Sequence, residues 1–454
     1  MGSIRPLKIN YILMKKNLLL LLSCCSVLAT AQVSFTRVWE RSDSAYTETG
    51  LEANKKPLYF DDMNTRGIAV GNINSNAGMV ERVFLVSRNV LGNVVRVLDV
   101  TTGADVKSLD MTNVTGGGFI ISDAGVTEDG VLLVSNCTHS SSGPFKIYKW
   151  DNEDAAPSVA ISYPSGSARY GDKITVTGKY SDGTARIYAI AGGVLSNYKV
   201  QYFGMEEVNG TWQFKQTPDE LNTSINAVSS NFHQINPGPD GGYYFRSVGL
   251  SNFQQIKSDF TANIGNTPFP TTMPQGGTAP VFIKTVGGFD YACYLQYGSH
   301  ATYAAPANNR IQVIKIDRLM GITSATVLTS SPSFGKLAPG NGAGHVVVKH
   351  QTNGDVDIFA LSTQNGVVRY RLSGAEIGTD IRKSVDNLIG IKAFSGKISI
   401  EGINPSSIEL FNTLGQKIKS ISNSNELQTS GLKGIYIVQV KAGGKTIKTE
   451  KISL

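Results

Sequence analysis

The amino-acid sequence predicts an all-β chain, a six-bladed β-propeller followed by a small β-sandwich. Three observations predict it. Of 454 residues, 48 are glycine and only 17% are charged, a balance that suits many strands joined by tight turns better than helices. A turn signature also recurs: "TEDGVLLVSN" (Thr127–Asn136), "SDGTARIYAI" (Ser181–Ile190), "PDGGYYFRSV" (Pro239–Val248) and "TNGDVDIFAL" (Thr352–Leu361) each set an Asp-Gly or Asn-Gly pair ahead of an apolar strand. After each such turn come a strand, a loop and a second strand, as in "VLLVSN" followed by "FKIYKWD".

Aligned on the turn glycine, the repeat gives Gly78, Gly130, Gly183, Gly241, Gly288 and Gly354. These permit the positive φ of a two-residue hairpin turn. The spacing of roughly 50 residues, with room for four short strands, is that of a propeller blade. The first unit ("SNAGMVE") and the fifth ("TVGGFD") match only loosely, and the alternative is ordinary hairpin turns in another β-sandwich array.

The elements in chain order begin with a leader, residues 1–31. "MKKNLLLLLSCCSVLATAQ" (Met14–Gln32) has a basic start, an apolar run and an Ala29-Thr30-Ala31 site, which predicts a secretory signal starting at Met14 and cleaved before Gln32. The run is shorter than the roughly 20 residues that span a membrane, so no transmembrane segment is expected in the mature chain. "LLSC" (Leu21–Cys24) leaves lipidation of Cys24 as the alternative processing. Cys137 and Cys293 then remain, read as two buried free thiols. The propeller occupies residues 32–373. Its sixth unit ends near Leu372 with three strands, while "VSFTRVWE" (Val33–Glu40) has no unit of its own, so this leading strand is expected to complete the last blade and protect its edge.

A polar linker, 374–392, follows. "IELFNTLGQKI" (Ile408–Ile418), "LKGIYIVQV" (Leu432–Val440) and "GGKTIKTEKISL" (Gly443–Leu454) then alternate apolar and polar residues. Ile408, Leu410, Ile435, Ile437 and Val440 are read as the alternating positions of a small antiparallel sandwich, with Gly415, Gly431 and Gly434 at turns. Residues 393–454 closely resemble the type A C-terminal sorting domain of type IX secretion cargo. The usual Pro-Asn-Pro entry is missing, with "AFSGKISI" in its place. The resemblance implies partnership with the type IX secretion machinery and sortase-like processing, delivery across the outer membrane, and release or attachment to surface lipopolysaccharide. It assigns the sorting signal to Gly415, Gly431, Leu432, Gly434, Tyr436, Val438 and Lys451. An immunoglobulin-like accessory module is the alternative. The central region resembles secreted propeller-like proteins without an established activity that carry this tag.

Charge bears on partners. Of the net +7, residues 1–32 carry +4 and residues 392–454 carry +5, which leaves the body near −2. No nucleic-acid partner is expected from so neutral a body. No His-Glu-x-x-His, Cys-x-x-Cys, Gly-x-Ser-x-Gly or phosphate loop occurs, and no cofactor or metal is predicted. The neighbouring carboxylates Asp61-Asp62 and Glu206-Glu207 read as hydrated loop residues.

The candidate ligand-binding residues are Arg66, Arg88, His139, His233, Tyr297, His300 and Tyr303. His139 and His300 follow the second strand of their blades, and His233 and His345 open a first strand, so all four are expected at one face of the central channel. A cluster of His139, His233 and His300 would favour metal or proton-transfer chemistry. Tyr297 and Tyr303, on the loop Gln296–Asn309, are read as rings able to stack on sugars, and Arg66 and Arg88 as binders of an acidic group. The function expected is an exported binding protein with a carbohydrate or protein ligand. The alternatives are a glycan lyase or hydrolase with its site at the channel mouth and a purely structural surface component.

Overall fold

The structure, a computed structural model, describes residues 33–89, 91–139, 142–191, 198–225, 233–246, 253–256, 270, 277–297, 309–335, 337, 343–374, 390–394, 396–401, 405–442 and 445–454. The chain divides into two compact units, 1–377 and 378–454.

The first unit opens with β1 (Ser34–Ser42), which runs into α1 (Asp43–Thr49); Ser42 Oγ caps this helix by accepting from the Ala45 amide at 3.0 Å. The first sheet is β2 (Thr65–Ser75), β3 (Gly78–Asn89), β4 (Gly92–Asp99) and β5 (Asp105–Ser108). The second is β6 (Phe119–Val126), β7 (Leu132–Cys137), β8 (Phe145–Trp150) and β9 (Ser158–Tyr163). The third joins β10 (Thr175–Thr177), β11 (Arg186–Ile190) and β12 (Tyr198–Phe203) to β15 (Asp219–Ile225), after a separate hairpin of β13 (Met205–Val208) and β14 (Thr211–Phe214). Among the described residues the fourth sheet has three strands, β16 (Gln234–Pro237), β17 (Tyr243–Arg246) and β18 (Gln254–Ile256). The fifth is β19 (Val281–Val286), β20 (Phe289–Gln296), β21 (Arg310–Asp317) and β22 (Thr326–Ser330). The last is β23 (Gly344–His350), β24 (Val356–Ser362) and β25 (Gly366–Ser373), with β1 on its outer edge from Ser34↔Ser373 to Ser42↔Gly366. The leading strand therefore completes the last sheet, as its sequence predicts.

The middle strands explain the packing. On a strand, successive side chains point to opposite faces, and each second strand buries both. Along β3, Phe84 and Val86 join Leu132 and Val134 of the second sheet, while Val83 and Leu85 join Phe359 and Leu361 of the last. Along β24, Phe359 and Leu361 pack on the first sheet and Ile358 and Ala360 on the fifth. The same division holds at β7, β11, β17 and β20, so an apolar cluster lies between every consecutive pair of sheets, the last and first included. This is why the second strands read as unbroken apolar runs rather than alternating ones.

All six aligned glycines lie between the first and second strands of their sheets or at the edge of that turn, and all have positive φ, from 75° at Gly183 to 108° at Gly78. The turns differ from the two-residue form at several of them. Val126 pairs with Leu132 and His350 with Val356, leaving five-residue loops. In each, the glycine amide reaches back three residues, from Gly130 to the Thr127 carbonyl at 3.1 Å and from Gly354 to the Gln351 carbonyl at 3.0 Å. Glycine here closes a β-turn within a longer loop. Glu206 and Glu207 project, exposed, from the β13–β14 hairpin.

The second unit packs a sheet of β26 (Gly390–Phe394), β27 (Lys397–Glu401) and β30 (Glu426–Gln428) with a sheet ordered β29 (Lys417–Ser422), β28 (Ser407–Asn412), β31 (Ile435–Ala442) and β32 (Lys445–Ser453). Ile398, Ile400, Ile408, Leu410, Leu427, Val438 and Val440 form its core. One expectation is corrected: Ile435 is 47% exposed and Ile437 half-buried, while Tyr436, Val438 and Val440 face inward. "IYIV" is apolar on both faces, so the sequence leaves the phase of the strand open.

Candidate functional site

The first strands β2, β6, β10, β16, β19 and β23 make contact in that order, and β23 returns to β2. Between them lies a cavity of ≈460 Å³ to which every one contributes, as with Ile68, Val126, Val176, Asn236, Phe282 and Val348. His345 lines this cavity near the start of β23, and buried charged groups lie beside it.

The first charged layer is Asp123, Lys173 and His345, from β6, the entry to β10, and β23. Asp123 is fully buried, and its carboxylate meets His345 Nδ1 at 3.0 Å, the Ile174 amide at 2.9 Å and Lys173 Nζ at 3.4 Å. Lys173 also donates to the Arg66 carbonyl at 2.6 Å. Burial works against the Asp123 charge, but His345 and Lys173 outweigh it and hold the carboxyl below its usual value. Burial draws Lys173 down to about 8 and lowers His345 despite the carboxylate beside it. His345 Nδ1 also lies 3.5 Å from the Ile68 amide, and the Nδ1–H tautomer of a neutral His345 is the one that can donate to the ionised Asp123. Gly67 makes room for this layer, since a Cβ there would lie 2.7 Å from Asp123 Oδ1.

Beyond it stands an arginine cluster. Arg66 Nη2 lies 3.1 Å from Asp172 Oδ1, and Arg169 grips the same carboxylate from two nitrogens, Nη2 at 2.8 Å. Cys137 Sγ lies 3.7 Å from Asp172, and burial pushes its thiol up to about 12. The Arg88 guanidinium lies 3.5 Å from the centroid of the Phe119 ring, with Arg169 at 5.8 Å from the same ring. Burial first, and then the charge of Arg66, draw Arg88 down to about 9.

The structure thus brings Arg66, Arg88 and His139 together, the His139 ring centroid being 5.4 Å from that of Phe119. Gly118 lets that ring approach, because a Cβ there would collide with it. Tyr297 is within electrostatic reach of Arg66, and the Arg246 guanidinium lies 5.9 Å from its centroid. Tyr297 is however 3% exposed and part of the apolar core rather than an exposed ring, because it continues the inward series of Tyr291, Cys293 and Leu295 past the end of β20. His233 is buried and stacks on Phe245, centroids 6.0 Å apart, at the opening of β16. His300 and Tyr303 lie outside the described residues. Among the described residues no group of three His, Cys, Asp or Glu side chains is placed to hold a metal. Both Cys137 and Cys293 are buried and unbridged.

Sequence reasoning missed Phe119, Asp123, Arg169, Asp172 and Lys173. The signal was present: each lies near the entry to a first strand, a short distance ahead of a turn glycine, in "GGGFIISD" or "SARYGDK".

At the other end of the chain, the sandwich carries a family signature. Residues 394–454 match the family described as secretion system C-terminal sorting domain. These residues are a secretion sorting domain. The type IX resemblance read from its motifs is thereby met, and the chain is marked as an exported protein. In the sorting domain Gly415, Gly431 and Gly434 all have positive φ, Leu432 and Tyr436 pack against the core, Val438 lies inside it, and Lys451 pairs with Ile437. β26 begins at Gly390, ahead of the matched residues.

The chain is similar to a DUF4623 family protein from Bacteroides eggerthii, at 17% identity and a TM-score of 0.54, over 76% of this chain and 77% of that one. This likeness shows the fold, which is propeller-like and nearly all β. Weaker similarities include an α-L-arabinanase from Penicillium chrysogenum complexed with arabinobiose (10% identity, TM-score 0.41, 70% of this chain and 95% of that one). Another is a DUF4221 family protein from Bacteroides vulgatus (9% identity, TM-score 0.39, 76% and 100%). No curated protein sequence matches the chain.

Proposed function

We propose that the chain is an exported, closed six-bladed β-propeller that acts as a binding protein at or outside the cell surface, with its ligand entering where the first strands begin. The six-bladed reading rests on the unbroken circuit of first-strand contacts, the apolar cluster between every pair of neighbouring sheets, and the β1–β25 pairing. Export begins with the leader at Met14–Ala31 and is completed by the sorting domain, followed by release or anchoring to lipopolysaccharide.

The observation that carries the binding role is the meeting of Arg66, Arg88, Arg169, Phe119 and His139 at one end of the first strands. Charged and aromatic groups converging beside a central cavity are the features of a small-ligand site. A glycan array probed with the purified chain tests the role. Retention of a defined glycan set, weakened by His139→Ala, is expected; an array that retains nothing refutes a carbohydrate ligand.

One observation favours a glycan lyase or hydrolase instead. His345 lines the cavity and is held at Nδ1 by Asp123, an arrangement suited to a general base. Release of new reducing ends by the native chain, abolished in His345→Gln, would decide for the enzyme.

A further inference from the structure

Building on that binding role, we propose that the channel mouth takes the carboxylate of an acidic sugar, with Arg88 and Arg169 as its contacts and Arg66 as buried charge behind them. Three cations meet here, and Asp172 is the carboxylate that two of them share. Arg88 is the third. Among the described residues, its Nε and Nη1 are buried and make no hydrogen bond, while its plane rests on Phe119.

Buried donors without acceptors are rare in folded proteins, and each calls for a cause. An acceptor supplied from outside answers it here. The shift of Arg88 away from its usual value supports this, since it records a cation held in a desolvated place beside another cation. A planar guanidinium presents two parallel donors to the two oxygens of a carboxylate, which a lysine could not do.

The surroundings select a sugar over a protein surface. Arg66 is 2% exposed and the cluster is recessed among the openings of the first strands, so it admits a chain end or a single residue. Phe119 and His139 stand beside Arg88 as rings against which the C–H face of a pyranose can lie.

Isothermal titration of the purified full-length chain with trigalacturonate, with neutral galactotriose and with a sulfated heparin disaccharide tests the proposal. Trigalacturonate is expected to bind at least tenfold tighter than galactotriose, and Arg88→Gln to weaken it at least tenfold. Thermal unfolding checks the variant, which should melt no lower than the parent because it removes an uncompensated charge. If Arg88→Gln melts early, Arg88→Lys keeps the charge, loses the fork and is expected to show the same loss. Equal binding of acidic and neutral trisaccharides overturns the carboxylate assignment and leaves the binding role standing. Tighter binding of the sulfated sugar likewise overturns it. Binding of none of these sugars, with an array that also retains nothing, overturns this proposal and a carbohydrate ligand altogether.

Discussion

His345 Nδ1 lies 3.0 Å from Asp123 Oδ1, so the first strand of the last sheet and that of the second are joined by a hydrogen bond. The contact gathers a carboxylate, an imidazole and an ammonium in a space where none is well hydrated. Its stability rests on mutual pairing.

Removing one member therefore leaves the others buried and uncompensated. Asp123→Asn is expected to cost about 3–5 kcal/mol in urea unfolding, because Lys173 keeps its charge and loses its carboxylate. A change under about 1 kcal/mol would show that the layer is solvated in solution.

The same layer sets a pH dependence. Asp123 is held below its ordinary value, so its contribution is present above about pH 4 and is lost as pH falls through the folded value. His345 is also lowered, which means the fold prefers it neutral, and the unfolded chain gains a proton first below about pH 6.5. The urea midpoint is expected to fall between pH 7 and pH 5, and less steeply in His345→Gln. Identical slopes in the two proteins would remove His345 from the account.

Trp39 fastens the leading strand to the first sheet. Its Nε1 donates to the Val100 carbonyl at 2.9 Å, its ring meets Phe359, and a Cβ on Gly103 would come within 2.6 Å of it. Trp39→Ala is expected to lower stability by about 3–5 kcal/mol. Gly103→Ala should also destabilise, through both the clash and its φ of 71°. Parent-like melting of both variants would mean that β1 is held by backbone pairing alone.

Cys137 and Cys293 are expected to resist alkylation at pH 8 in the native chain, since burial raises both thiols, Cys137 to about 12. Labelling should appear only with global unfolding. Rapid modification of either under native conditions would place it near solvent.

Deleting residues 394–454 is expected to abolish surface delivery in a bacterium with type IX machinery. Val438→Asp, which puts a charge in the sandwich core, should do the same. Surface protein undiminished by the deletion would assign export to another segment.

The parts legible in the sequence were those fixed locally. A glycine with positive φ marks a turn whatever surrounds it, so Gly78, Gly130, Gly183, Gly241, Gly288 and Gly354 located the sheets. Val33–Glu40 was legible by elimination, as a strand without a unit beside a unit without a strand. The phase of Ile435–Val440 was hidden because both faces are apolar. Tyr297 looked like a loop ring, although the alternation of β20 carries on through it into the core. The Arg66–Asp172 and Asp123–His345 contacts were hidden for another reason: each joins residues far apart in the chain, which only the contacts between first strands bring together.

The pairing of Ser34 with Ser373 also imposes an order in time. During synthesis at roughly 5–20 residues per second, the leading strand is made first and must wait tens of seconds for its neighbour. Throughout that interval the strand containing Phe35 and Trp39 has no partner along the edge that β25 later covers. A product truncated before Gly366 therefore leaves the edge of the leading strand without the partner it pairs with.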